Sequence, residues 1–337
     1  MQELTDKFGR KISYLRLAIT DRCNFRCQYC MPAKGIAIVD RKDLLSFKEM
    51  YRIIRVLSEL GVDKVRLTGG GPFVRRDFIN FLESLTFNKR LKSINITTNG
   101  ALVGQYIPKL QALGIKNINL SIDSLNKEKF NKITRREAFD EVYDTFLKLQ
   151  NSELNLKLNV VVIPGVNTDE LFDFIELTKH SPLSVRFIEE MPFNGKGLRS
   201  ADKVWNSQAI FEQIQNYYNH IETLAHQKSE TSNNYKIAGY QGTFGIIPAF
   251  TRTICGDCNR IRITATGLFK NCLFDGGVFN VRDFIRQGAS DDDLKKLFIE
   301  TINKKPQNGF IAEASRDKNI TERDRKSTRL NSSRVDL

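Results

Sequence analysis

Asp21–Cys30, DRCNFRCQYC, carries Cys23, Cys27 and Cys30 in a C-x3-C-x2-C spacing. Three thiolates this close in sequence can face one metal centre. Three is also one fewer than a closed zinc or cubane iron–sulfur site takes from protein. A cubane held by three thiolates keeps one iron open to a small molecule. Read alone, the residues leave a disulfide knot or a zinc knuckle with a distant fourth ligand as alternatives. The start, MQELTDKFGRKI, has no apolar h-region of a secretory signal. The expected setting is therefore cytoplasmic and reducing, where disulfides are rare.

Cys255, Cys258 and Cys272 form a second trio, C-x2-C-x13-C, more than two hundred residues further on. Two sets of three match a paired disulfide framework poorly and two metal centres well. His180, His220 and His226 have no ligand spacing. The 337 residues suffice for one large domain, or a large and a small one. With 41% hydrophobic and 27% charged residues the composition is that of a globular protein. No apolar run approaches the ~20 residues of a membrane span. The net charge of +13 and pI of about 9.4 admit nucleic acid or a polyanionic small substrate. Lys and Arg are scattered through periodic segments, and no stacked aromatic–basic motif appears. This favours a focused anion pocket over nucleic acid or a membrane surface.

Around the first trio the chain alternates strand and helix. Tyr14–Ile19, Lys64–Leu67, Ser93–Thr97, Asn117–Ile122, Asn155–Ile163 and Leu183–Ile188 read as strands. Helical periodicity lies between them, with Ser46 and Glu49 as a capping box. Six such units predict a parallel sheet wrapped by helices. Because six cannot close an eight-stranded barrel, the expected fold is α/β: a partial (βα)6 TIM-type barrel, with an open doubly wound sheet as alternative. Its site belongs at the carboxyl ends of the strands. The pattern changes near residue 220. The expected division is a barrel over 1–220, a small C-terminal α+β extension over 221–323 that carries the second trio and closes the barrel mouth, and a tail over 324–337. The two trios are expected to face one another across a shared cavity.

DRCNFRCQYCMP, RLTGGGP, TTNG, INLSID, LKLNVVVIPGVN, RFIEEMP and CGDCNRIRITATGLFKNCLF follow in one order. The first resembles the signature of radical S-adenosylmethionine (SAM) enzymes. The whole set, above all the second trio with Asn-Arg-Ile-Arg inside it, resembles the GTP 3′,8-cyclases of molybdenum cofactor biosynthesis. The resemblance implies two [4Fe-4S] clusters, one on each trio. It implies that the first cluster and SAM generate a 5′-deoxyadenosyl radical that takes the ribose 3′ hydrogen of GTP, after which that carbon attacks C8 of the guanine. By resemblance Tyr29, Gly70, Ser121 and Met191 contact SAM. Arg16, Arg66, Thr97 and Lys157 contact GTP, joined by Arg260, Ile261 and Arg262, with Arg260 and Arg262 the catalytic pair beside the second cluster. An external one-electron donor, a downstream cyclic pyranopterin monophosphate synthase and a possible homodimer are the partners it implies; nucleic acid and membrane are not among them.

Independently of the resemblance, Arg16, Arg66 and Lys157 sit at alternate positions of apolar strands. A cation inside a barrel needs an anionic partner, and the guanidinium fork suits phosphate. Each could instead reach the surface or pair with an acid. Gly69–Gly71 would let backbone approach a ligand, Met191 alone reads as core, and Asn99 and Asp123 could orient ligands or stabilise turns.

Two departures stand out. The family reads Gly-Gly-Glu-Pro where this chain has Gly71 for the acid, which removes a carboxylate from the SAM amino group. The run Asp324–Leu337, DRKSTRLNSSRVDL, lacks the family's Gly-Gly end and resembles a translated sequencing adapter. Both point to impaired activity. The competing readings are another radical SAM enzyme with an auxiliary cluster, or a zinc-holding nucleic-acid-binding protein. Two cubanes predict about eight irons per chain and a brown anaerobic protein; a colourless, zinc-loaded one would sink the iron–sulfur reading.

Overall fold

The computed structural model describes residues 3–191, 205–226, 228–251 and 255–315; the expected tail at 324–337 lies outside them. The six expected strands are present as β1 (Tyr14–Ala18), β2 (Lys64–Thr68), β3 (Ser93–Thr98), β4 (Asn117–Ser121), β5 (Asn155–Val162) and β6 (Ser184–Glu189). They pair side by side in sequence order, all parallel. Helices connect them. Phe47–Glu59 starts at the expected capping box, with the Ser46 side chain accepting from the Glu49 N–H and the Glu49 carboxylate accepting from the Ser46 N–H. The sequence periodicity did not anticipate a separate helix at Lys127–Thr134, capped by Asn126.

The chain beyond 220 extends this sheet at both ends. After β7 (Ile221–Thr223) and β8 (Asn233–Ile237), β9 (Thr243–Ile247) pairs parallel to β6. At the other edge β10 (Arg260–Ile263) pairs parallel to β1, followed by β11 (Leu268–Lys270) and β12 (Phe279–Asn280). The result is one 12-stranded sheet in the order β12-β11-β10-β1-β2-β3-β4-β5-β6-β9-β8-β7. Strands β9 and β10 flank the six on either side, all running one way. They do not pair with each other. β9 takes β8 as antiparallel neighbour and β10 takes β11, so the ladder groups that would close a ring are already used. The fold is a partial TIM-type barrel left open.

Period-2 alternation sorts the side chains. Leu15, Leu17, Val65, Leu67, Ile96, Ile118, Leu120, Leu158 and Ile261 lie on one face, buried in the main core cluster. Burial of that face against the helices fixes the register, since a one-residue slip would exchange the two faces. The other face carries the polar set and lines the lumen.

The loops at the carboxyl ends of β1 and β2 are joined through their backbones. The Gly70 N–H donates to Thr20 O (2.9 Å) and the Gly71 N–H to Arg22 O (2.8 Å). Gly69 has φ +120°, and a Cβ on Gly70 would lie 2.0 Å from Arg22 O. Two of the three glycines are therefore required by this approach to the cysteine loop. Gly71, at φ −138° and ψ 106°, is in extended backbone that any residue adopts. Gly70→Ala should push the Cys23 loop aside, cost on the order of 1–3 kcal/mol and reduce bound iron. Thermal melting and metal analysis check this; unchanged iron and Tm would show that the close packing is dispensable.

Candidate functional site

The first trio follows β1 at the carboxyl end of the parallel strands. Its loop turns through Cys30 N–H and Met31 N–H, both donating to Cys27 O at 2.9 Å. Among the described residues no disulfide joins any of the six cysteines. Tyr29 is buried and its hydroxyl donates to Asp123 Oδ2 at 2.7 Å. Burial, then the Asp123 carboxylate, pushes the phenol well above its ordinary range, so it stays a donor. Asp123 also accepts from Val161 N–H (2.9 Å), which fixes it between β4 and β5. Asn99 donates to Asn24 Oδ1 (2.8 Å) and ties the β3 loop to the cysteine loop. Ser121 ends β4 at this same end, and its buried hydroxyl has no hydrogen-bond partner. Met191, buried, lies just past β6. Three cysteines in one loop, an orphaned hydroxyl and a glycine loop held against the trio fit a small polar molecule beside a cluster.

The second trio lies at the other end of the same lumen. Because β10 runs parallel to β1, Cys255 and Cys258, which lead into β10, lie at the amino end of the strands. Cys272 returns to that end after antiparallel β11. The trios thus face one another across the length of the lumen, separated by roughly the 15 Å of a five-residue strand. Two buried cations serve the second trio. Arg260 hydrogen-bonds Cys258, and Lys305 Nζ donates to Arg260 O at 2.8 Å and to Asn271 O. Burial alone would raise the Cys258 thiol, but Arg260 and Lys305 outweigh it and bring it down to about 5. Burial pushes the Cys272 thiol up. Arg10 anchors the Cys255 carbonyl (3.1 Å). Among the described residues no three His, Cys, Asp or Glu groups converge on one ion-sized point.

Between the trios the lumen face is a set of rows across the sheet. Arg262, Arg16 and Arg66 are in register, as are Thr97, Asn119 and Lys157, and then Ser121, Asn159 and Arg186. At the amino end of the first row, Tyr14 sits between Arg260 and Lys64. Arg66 donates through Nε to the Tyr14 hydroxyl (2.5 Å) and through Nη1 to Thr97 Oγ1 (3.3 Å). Crowding is visible in the ionisation of these groups. Burial, then Arg186, Arg66 and Lys64, lowers the Lys157 ammonium to about 8. Burial, then Arg16 and Arg260, lowers the Arg262 guanidinium to about 9. Burial would raise the Tyr14 phenol, but Arg66, Arg16 and Lys64 outweigh it and bring it down to about 7. Below this, Asn117, Asn155, Lys157, Ser184 and Thr243 line a cavity of about 440 Å³, covered by Leu224, Glu230 and Asn234.

Arg16, Arg66, Thr97, Lys157 and Arg262 are therefore gathered on one face, and Arg260 turns to Cys258. Ile261 points the other way, into the helix-covered core, at 0% exposure; only its backbone is near the trio. Sequence reasoning missed Tyr14, Lys64 and Arg186, which carry the same signal of a polar residue at an alternate strand position. It also missed Lys305, for which the sequence held no signal.

Residues 17–178 match the family model of the Radical SAM superfamily, and 183–311 that of Molybdenum Cofactor Synthesis C. The chain is 40% identical to the GTP 3′,8-cyclase of Syntrophomonas wolfei over 90% of its own length and 93% of that protein. It is 40% identical to molybdenum cofactor biosynthesis protein moc-5 of Caenorhabditis elegans, over 89% of this chain and 50% of that one. The Bos taurus molybdenum cofactor biosynthesis protein 1 gives 40%, over 90% and 48%. The chain thus spans about half the length of these last two relatives. In fold it is similar to Streptococcus suis SuiB bound to S-adenosylmethionine, with a TM-score of 0.60 and 15% identity over 93% of this chain and 71% of that one.

Lys157 is held below its ordinary value, so the folded state pays for its charge wherever the ammonium is protonated. That cost is full below about pH 8 and disappears as pH rises through the unfolded value near 10.4. Lys157→Met should therefore stabilise the ligand-free protein at pH 7 by roughly 1–3 kcal/mol, the gain fading toward high pH. Melting curves across pH check this; a gain that does not change with pH would remove the charge explanation.

Proposed function

The chain belongs to the GTP 3′,8-cyclase family within the radical SAM superfamily, and from that premise we propose that it converts GTP to (8S)-3′,8-cyclo-7,8-dihydroguanosine 5′-triphosphate in molybdenum cofactor biosynthesis. Membership of the superfamily brings SAM and an iron–sulfur cluster as cofactors. The number of clusters is part of the proposal: one on Cys23, Cys27 and Cys30, a second on Cys255, Cys258 and Cys272. Together, reduced cluster and SAM supply a hydrogen-abstracting 5′-deoxyadenosyl radical. The protein's part is to hold the reactants and exclude water.

The carrying observation is the Arg262–Arg16–Arg66 row lying in the lumen that joins the two trios. Three buried guanidiniums in register are costly without an anion, and a triphosphate supplies several charges. In this reading Arg16, Arg66, Thr97 and Lys157 grip the nucleotide. Arg260 and Arg262 hold it beside the second trio, and the backbone at Ile261 completes that wall. Tyr29, Gly70, Ser121 and Met191 receive SAM at the opposite end, so the ribose lies between the two. The region 221–323 then acts as the substrate-binding part of a barrel built by 1–220. The reducing equivalents come from an external one-electron donor, and a cyclic pyranopterin monophosphate synthase takes the product. A cytoplasmic setting suits this chemistry, and no helix among the described residues is long and apolar enough to cross a membrane. Neither nucleic acid nor a membrane is a partner in this reading; a homodimer is compatible with it.

At Gly71 the backbone accepts a side chain, so the missing carboxylate can be restored. Gly71→Glu should tighten SAM binding about 10–100-fold, the equivalent of a charge-assisted hydrogen bond of roughly 1.5–3 kcal/mol. Anaerobic protein loaded with iron and sulfide, given SAM, GTP and a reductant, should form 5′-deoxyadenosine and the cyclised nucleotide, more of each in the variant. No cyclised nucleotide from a Gly71→Glu protein carrying an added Gly-Gly end would overturn the assignment.

A further inference from the structure

Among the described residues, Tyr14 is the one lumen-facing phenol in the row of cations nearest the second trio. Its hydroxyl accepts from Arg66 Nε at 2.5 Å. Its ring lies under Lys64 Nζ at 4.7 Å and beside the Arg16 guanidinium at 5.5 Å. It is 7% exposed, and its own N–H is held by Asn259 O at 3.3 Å. The charged groups facing it are Arg16 on its own strand, Lys64 and Arg66 from β2, and Arg260 from β10, with Arg262 one row further on. All are cations. Asp63, next to Lys64 in sequence, is paired at the surface with Lys92 (2.8 Å).

We propose that Tyr14 is a positioning residue: it fixes the Arg66 guanidinium for phosphate and serves as the internal counter-charge of the cation row until a triphosphate takes over. The inference rests on the nucleotide reading above. Geometrically, Tyr14 and Thr97 hold two different nitrogens of one guanidinium, so the plane of the fork is set before a ligand arrives. Electrostatically, Arg66, Arg16 and Lys64 favour the phenolate over the opposing effect of burial, and bring the phenol down to about 7. Binding of a polyanion reverses the local field. The phenolate then becomes the disfavoured form and takes up a proton from solvent, and the phenol O–H becomes a donor toward the ligand. Nucleotide entry is thereby coupled to proton uptake at one named oxygen. Lys157, also depressed by its neighbours, contributes a separate uptake at higher pH, so the Tyr14 part is read as a difference between proteins.

The test uses the iron–sulfur-loaded protein at about pH 7.5, with GTP and, separately, inorganic tripolyphosphate as probes. Adding either should bleach the near-ultraviolet tyrosinate absorbance. Calorimetry in two buffers of different ionisation heat should show net proton uptake. Tyr14→Phe keeps the ring and its cation contacts but should take up close to one proton fewer. It should also lose that part of the fall in affinity, up to about tenfold per pH unit, that the parent shows above pH 7. A merely structural role would move neither the proton count nor the tyrosinate band. Should the variant fail to fold, the parent's band decides alone. Equal proton uptake in both proteins, or no bleaching in the parent, overturns the role of Tyr14 while leaving the nucleotide reading intact. Failure of both probes to bind the parent overturns the nucleotide reading and this inference with it.

Discussion

Positive charge confined inside a parallel sheet is the constraint on which this structure turns. Arg16, Arg66, Arg262, Lys157 and Arg186 all point to one face, and the other face is almost wholly aliphatic. Such a face cannot be covered by a helix without stranding the cations. It must therefore enclose a polar space, and the sheet curls around that space with its helices outside. The apolar face supplies the stability, and the lumen face consumes part of it. Burial and the neighbouring cations accordingly lower the ionisation of Lys157 and Arg262.

The same sheet determines where chemistry can happen. Its edges are both occupied by the last third of the chain, one by β9 with its antiparallel companions and the other by β10 with its own. The parallel run is long enough for a ring but stays open, because each edge strand spends its outer ladder on an antiparallel neighbour. The direction of β10 then places the second trio at the end of the lumen opposite the first. Whatever occupies the lumen is held at both ends, with the arginine row between. This suits a reaction in which two parts of one substrate must meet, since it fixes orientation before the reactive species exists.

The glycine run after β2 separates two roles that look alike in sequence. Gly69 and Gly70 let the backbone pass against Thr20 and Arg22, and no side chain fits there. Gly71 has ordinary extended geometry. Its lack of a side chain brings no conformational benefit.

Much of this was written in the one-dimensional pattern. The alternation of Tyr14–Ile19 and Lys64–Leu67 gave the strands, each within one residue of its observed end. The capping box at Ser46 gave a helix start, and the spacing of the six cysteines grouped them as two trios. Local rules suffice there because each feature depends on residues a few positions apart. Tyr14, Lys64 and Arg186 carried the same alternating signal and were legible but unread. Other features were not in the pattern at all. The pairing of β9 and β10 with opposite edges, the placing of the trios at opposite ends, the turning of Ile261 away from the lumen and the reach of Lys305 to the carbonyls of Arg260 and Asn271 depend on strand order and direction. Those are set by which long-range backbone ladders form. Sequence fixed the chemistry each residue can offer, and only the tertiary ladder decided which residues share one cavity.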